Sequence, residues 1–328
     1  MITCYTLVNG MLTPKTITPD EPFPQDALWI DLLSPTDEEE QFLEKSLAVN
    51  IPTREEMAEI EESSRLYESE RALHMTTTVV SGFSEHQPTA SVLNFVLTPE
   101  WLVTVRYAEL SAFRAFRTKL SQHPGLHKRS DTIFISLLDS LVDRIADILE
   151  SVQAHHNRLA NAIFREPKPD DEGPKAPKSD LQSILKQLGR SSLLLARLSD
   201  SLLGINRLLS YLRRAASEWI CREAKAWMKT VERDSRSLGD YQNRMNNEIS
   251  FLLDATLGLI NIEQNGIIKV FSIAAVLFLP PTLVGTVYGM NFENMPELSW
   301  HFGYPLALVA MVVSAIIPYA WFKFRDWL

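Results

Sequence analysis

From Asp254 to Asn291, residues that present oxygen to a cation, or are small enough to leave it room, recur at alternating steps of three and four. They are Asp254, Gly258, Asn261, Asn265, Ser272, Ala275, Thr282, Thr286 and Gly289, and the series ends on Gly289-Met290-Asn291. Steps of three and four return to one face of an α-helix. Ile268 and Leu279 fall in the same register and interrupt it with apolar side chains. Hard cations prefer oxygen ligands and give up their waters reluctantly, so a helix face of this composition suits a hydrated ion. Softer metals want Cys or His, and the apolar part of this stretch has neither. His301, a few residues beyond, fits a membrane interface better than a metal site.

A stripe of small and polar residues on an apolar helix has two explanations. One is close helix–helix packing through small side chains. The other is the wetted wall of a pore, each residue repeated as a ring by symmetry. Packing alone leaves unexplained why the stripe extends through Asn265 and Asn261 to Asp254, outside the apolar segment.

That segment has no charged residue between Lys269 and Glu293, and a second uncharged run covers Leu298 to Phe322. Each is long enough to cross a hydrocarbon core of roughly 30 Å as a helix, and the short link makes a transmembrane hairpin. The expected spans are about 268–288 and 303–323, with an external loop at 291–302 and a tail at 324–328. Lys269 precedes the first span and Lys323 and Arg325 follow the second, while the loop carries Glu293 and Glu297 and no Lys or Arg. Positive residues stay inside, which predicts cytoplasmic termini. Tyr288, Trp300, Phe302 and Tyr304 are placed to anchor one interface, and Tyr319, Trp321, Phe324 and Trp327 the other. Two spans cannot enclose a pore, so conduction requires several copies in closed symmetry.

The rest of the chain must position this hairpin. Residues 1–125 read as a cytoplasmic α+β domain, a mixed sheet with helices. Strands are expected at Ala27–Leu32, Ala72–Val80, Ala90–Leu97 and Trp101–Arg106. Helices are expected from Ser34 as N-cap with Pro35 at the first helical position, from Thr53 through Ile60, and over Ala112–Leu120. Residues 126–222 form a long antiparallel helical hairpin, broken by the polar, proline-rich stretch 165–177. Residues 223–290 read as a stalk helix running into the first span, about 100 Å long if continuous.

The net charge of −9 argues against nucleic acid as a partner. Two distant cysteines support neither a disulfide framework nor a zinc knot, and Met1–Tyr5 does not begin a signal peptide. No phosphate loop GxxxxGK[ST] occurs, so ATP-driven pumping is not expected. No constellation of enzymatic type stands out.

Tyr288-Gly289-Met290-Asn291-Phe292-Glu293-Asn294-Met295-Pro296-Glu297-Leu298, followed by Phe302-Gly303-Tyr304-Pro305, resembles the CorA family of divalent-cation transporters. The similarity extends to Asn261-Ile262-Glu263-Gln264-Asn265, Phe278-Leu279-Pro280-Pro281-Thr282, Trp29-Ile30-Asp31-Leu32, Thr53-Arg54-Glu55-Glu56 and Ile60-Glu61-Glu62-Ser63-Ser64-Arg65. The resemblance implies a funnel-shaped homopentamer in a bacterial inner membrane that takes up Mg2+, with Co2+ and Ni2+ as secondary substrates. It implies a selectivity filter at Gly289, Met290 and Asn291, and pore positions at Asp254, Asn265, Ile268, Phe271, Leu279 and Thr282. Ile268, Phe271 and Leu279 would then be the hydrophobic constriction, and only Phe271 lies off the periodic stripe. Glu293 and Glu297 would concentrate cations at the mouth. Family members also sense cytoplasmic Mg2+ through interface acids, for which Glu232, Asp234 and Asp240 are the candidates. Thr230 stands where an acid would be expected, and Lys323 and Arg325 replace the dense terminal lysine run of many members. Alternatives are a zinc or broad-divalent transporter of the same fold, and a membrane-anchored coiled-coil scaffold without transport.

Overall fold

The strand built around Asp31 is buried on both faces and forms β3 (Ala27–Leu33), which pairs in parallel with β7 (Leu102–Arg106). The register sets Asp31 beside Thr104 and Leu33 beside Arg106. Arg106 is fully buried, and its Nε and Nη2 donate to Asp31 Oδ1 and Oδ2 at 3.1 and 2.9 Å. Thr104 Oγ1 donates to Asp31 Oδ1 at 2.8 Å and accepts from Trp29 Nε1 at 3.0 Å. A guanidinium this deep is tolerable only because its donors are met on a planar, bidentate partner. Its remaining nitrogen, Nη1, donates to the Ala108 carbonyl at 2.9 Å.

Around this pair the computed structural model describes residues 1–59, 61–69, 72–83, 88–122, 127–164, 181–291 and 295–325, leaving aside the side chains of residues 62, 297 and 298. They divide into two units, Met1–Leu253 and Asp254–Leu328. In the first, β1 (Ile2–Val8), β2 (Met11–Ile17), β4 (Leu66–Ser69), β5 (Ala72–Ser81) and β6 (Thr89–Leu97) complete a seven-stranded sheet ordered β2-β1-β3-β7-β6-β5-β4. Every neighbouring pair except β3–β7 is antiparallel, so the sheet is mixed.

Three local details differ from the sequence expectation. The first helix, α1 (Asp37–Leu47), is capped by Thr36 and not by Ser34. Thr36 and Glu39 form a reciprocal capping box that satisfies two free donors, while Ser34 N donates to the Arg106 carbonyl at 2.8 Å. The helix capped by Thr53, α2 (Arg54–Met57), stops after one turn at Ala58, and a separate turn, α3 (Glu62–Arg65), follows. Ile60, once expected inside α2, lies outside the described residues. The hairpin β1–β2 was not anticipated. Its signal is Asn9-Gly10, where both residues take positive φ (51° and 81°) in a two-residue turn joining Val8 to Met11.

Helices α4 (Ser111–Gln122), α5 (Ser130–Phe164) and α6 (Leu181–Ala215) follow, and the proline-rich stretch 165–177 lies outside the described residues. α6 packs on β5 at Gly204, where an added Cβ would fall 2.1 Å from Oγ1 of buried Thr77. Buried Asp131 in the first turn of α5 accepts from Cys221 N at 2.8 Å, tying the link after α6 to the start of α5. Helix α7 (Arg222–Tyr288) begins there, and α8 (Gly303–Phe324) follows a short 3-10 turn at Pro296–Ser299.

Two stability measurements test this core. Asp31→Asn, which strands the buried Arg106 charge, should cost about 3–5 kcal/mol of unfolding free energy, while Asp31→Leu with Arg106→Met should cost clearly less. Equal losses would mean that the pair does not act as a unit. Buried His74 stacks on Tyr67 at 4.5 Å, and burial lowers its pKa from 6.5 to about 4. The unfolded chain therefore binds this proton first, so its contribution to stability is lost as pH falls from 6.5 toward 4, by up to about 1.4 kcal/mol per pH unit. His74→Phe should flatten that slope, and an unchanged slope would remove His74 as its source.

A candidate cation pathway along α7

The apolar half of α7 has a mean hydropathy of 2.1 over its best 18-residue window, none of it buried within the chain. The corresponding window of α8 reaches 1.9. Pro280 and Pro281 sit inside α7 and supply no N–H, so the carbonyls of Val276 and Leu277 lose their i+4 donors. Just beyond, Thr282 Oγ1 donates to the Leu279 carbonyl at 2.8 Å, and Thr286 Oγ1 donates to the Thr282 carbonyl at 2.8 Å. A threonine whose proton is committed to its own helix offers only lone pairs outward. Such an oxygen suits the waters around a cation, because a water can donate to it while its own oxygen faces the metal.

Exposure divides the helix into faces. Asp254, Asn261, Asn265, Ile268, Phe271, Ser272, Ala275, Leu279, Thr282, Thr286, Gly289 and Met290 are all exposed in the isolated chain, as is Asn291 just past its end. Ile273, Ala274, Leu277, Pro280, Pro281, Val284, Gly285 and Tyr288 are half-buried and recur at helical spacing. At Gly285 an added Cβ would lie 3.1 Å from Met311 Cε, which brings α8 close to this second face. At the other end of α8, Phe322 borders a cavity of about 410 Å3 with Asn265, Ile268 and Ser272. The stripe is thus largely uncovered, and Phe271, identified through resemblance only, is 72% exposed beside it.

α7 ends where Gly289 N donates to the carbonyls of Gly285 and Thr286 at 3.0 and 3.2 Å. A Cβ on Gly289 would press on the Gly285 carbonyl at 3.2 Å. Glu293 and the side chain of Glu297 lie outside the described residues, as does Trp327. The acids considered for regulation separate in kind. Glu232 is nearly buried and is held by Arg213 and Arg236 at 3.2 and 2.6 Å, a commitment that the sequence did not reveal. Asp234 and Asp240 are exposed. Among the described residues, no three His, Cys, Asp or Glu side chains of one chain gather into a metal site.

A helix that leaves an α+β domain and enters a two-helix apolar hairpin defines a two-span integral membrane protein. The chain belongs to the family of CorA-like Mg2+ transporter proteins, whose sequence profile matches residues 24–323. The magnesium transport proteins CorA of Escherichia coli K12 and Salmonella typhimurium LT2 are each 32% identical over 328 residues, covering 100% of both chains. The fold is that of the complete CorA magnesium transporter from Methanocaldococcus jannaschii, with a TM-score of 0.76 and 19% identity, covering 100% of this chain and 99% of that one. The full-length CmaX protein aligns with a TM-score of 0.65 and 17% identity, covering 99% and 96%.

Thiol labelling tests the division of faces. Burial pushes the native Cys4 thiol up to about 12, which keeps it from competing near neutral pH, and burial also raises that of Cys221. Cysteines introduced at Ala275, Thr282 and Thr286 should react with a membrane-impermeant thiol reagent, and cysteines at Ala274, Leu277 and Val284 should not. Equal reactivity of both sets would abolish the distinction.

Proposed function

We propose that this protein conducts Mg2+ into the cell as a homopentamer, along a pore lined by α7 from each subunit. The observation that carries the proposal is the uncovered polar stripe of α7 leading to Gly289-Met290-Asn291 at its end. Its relatives named as magnesium transport proteins, similar along the whole chain, support the choice of ion. A ring of Asn291 amides would hold the hydrated ion through its waters, weakly enough for release. Ile268, Phe271 and Leu279 would form apolar rings that close by dewetting. Asn261, Asn265, Ser272, Ala275, Thr282 and Thr286 would line the path between Asp254 and the filter. Glu293 and Glu297 would raise the cation concentration at the outer mouth.

Entry needs no ATP. An inside-negative potential gives a divalent ion roughly 4.6 kcal/mol per 100 mV, twice the single-charge value. With Lys269, Lys323 and Arg325 retained inside, both termini would be cytoplasmic, in the inner membrane of a bacterium. Co2+ and Ni2+, also divalent and octahedral, would follow as secondary substrates. Regulation by cytoplasmic Mg2+ would use Asp234 and Asp240, because a metal at Glu232 must first displace two close guanidiniums, whereas Asp234 has only a looser pair, with Arg233 at 3.6 Å.

Flux into proteoliposomes under an imposed inside-negative potential tests these roles. Mg2+ uptake is expected, slowed by high internal Mg2+ and competed by Co2+ and Ni2+ more than by Zn2+. Asn291→Ala should lose uptake or its ion selectivity; unchanged flux and selectivity would sink the filter assignment. Uptake indifferent to internal Mg2+ would remove regulation and leave transport standing.

A further inference from the structure

The Met1–Leu253 unit contains a second feature that cation transport does not use. Between α5, α6 and the end of β5 lies an open cavity of about 720 Å3. Its wall carries four guanidiniums, Arg144 and Arg158 from α5 and Arg190 and Arg197 from α6, together with His155. Among the described residues, no carboxylate lines it. In a chain of net charge −9, four arginines gathered on one wall are a local concentration of positive charge.

Each cation has a different degree of freedom. Arg197 donates to the Pro88 carbonyl, which fixes its position on the wall. Arg144 lies 5.7 Å from the ring centroid of Phe83 and pairs with Asp147 at 3.6 Å. Arg158 and Arg190 are exposed, and among the described residues no carboxylate pairs with either. The charge of Arg158 also depresses the pKa of His155, second to burial. Apolar surface stands beside the charges: Val152 and Leu194 are buried, Leu193 is 65% exposed, and Phe83 contributes a ring.

We propose that this cavity binds a nucleoside triphosphate as a regulatory ligand. Arginine forks match phosphate oxygens in bidentate geometry, and Arg158 and Arg190 have donors to give. Phe83 and Leu193 add apolar surface to the lining for the base, and the volume falls within the range of about 300–1,000 Å3 typical of small-molecule sites. Among the described residues the lining holds no carboxylate to ligate a metal ion, and the proposed role is binding alone. This site lies outside the candidate cation pathway and stands or falls independently of transport.

The test is titration calorimetry on the full-length protein in detergent, in chelator and without divalent cations, with ATP and inorganic triphosphate as probes. Both should bind. Arg158→Gln with Arg190→Gln, at exposed positions that leave the fold intact, should weaken both by about tenfold or more. Phe83→Ala should weaken ATP and leave inorganic triphosphate unchanged. No binding at millimolar ATP, or binding indifferent to the double arginine variant, would overturn the site. Equal affinity for both probes, unaffected by Phe83→Ala, would overturn the nucleotide assignment. If the double variant instead shifts the oligomeric state and ATP does not bind, these arginines serve a neighbouring copy and the proposal fails.

Discussion

The constraint on which this structure depends is the uncovered apolar surface of α7. Phe271, Phe278, Leu279 and Leu283 are each more than 60% exposed in the isolated chain, and Ile268 is 53% exposed. Leaving such side chains in water forfeits about 1.5–3 kcal/mol apiece, so the single chain in water is not a tenable state. Lipid can cover Phe278 and Leu283. It serves Ser272, Thr282 and Thr286 poorly, because hydrocarbon offers no partner for their free lone pairs. One helix thus carries two kinds of uncovered surface, one suited to lipid and one suited to water or another subunit.

The Met1–Leu253 unit meets a different problem by different means. Its central parallel pair β3–β7 is joined through a fully buried guanidinium and carboxylate, with Thr104 and the Ala108 carbonyl taking up further hydrogen bonds. Desolvating such a pair is costly, and it contributes specificity of register more than net stability. Only the alignment of Asp31 with Thr104 and Leu33 with Arg106 brings all partners together, so a slip of one residue would strand a charge. The long helices are positioned by equally local contacts. Gly204 allows α6 to approach Thr77 of β5, and Asp131 joins the start of α5 to Cys221 before α7.

Membership of the CorA-like family narrows how these features are used. The family match covers 24–323, so it embraces the sheet as well as the hairpin. Among the described residues no three His, Cys, Asp or Glu side chains gather into a metal site, and in the apolar half of α7 the exposed hydroxyls of Ser272, Thr282 and Thr286 share one stripe. Hard oxygens of this kind suit a hydrated divalent ion. The arginine-lined cavity between α5 and α6 has the opposite polarity and lies in the Met1–Leu253 unit.

The sequence by itself determined what depends on composition and short-range periodicity. Two uncharged runs of membrane length, the three-and-four spacing from Asp254 to Gly289, and the alternation or apolarity of β3, β5, β6 and β7 are all local patterns. The family motifs added Phe271, which spacing alone did not reach. Asn9-Gly10 is an equally local turn signal, but β2 is an edge strand with mostly exposed residues and contains Pro14, so the strand that follows the turn carries little pattern. Tertiary structure decided whatever depends on residues far apart in the chain. The partnership of Asp31 with Arg106 spans 75 residues, and the capture of Glu232 by Arg213 requires two helices to lie side by side. The gathering of Arg144, Arg158, Arg190 and Arg197 around one cavity likewise needs α5 and α6 brought together. A charge in a sequence is only a charge; burial and the group facing it decide whether it acts as a staple, an ion pair or a ligand site.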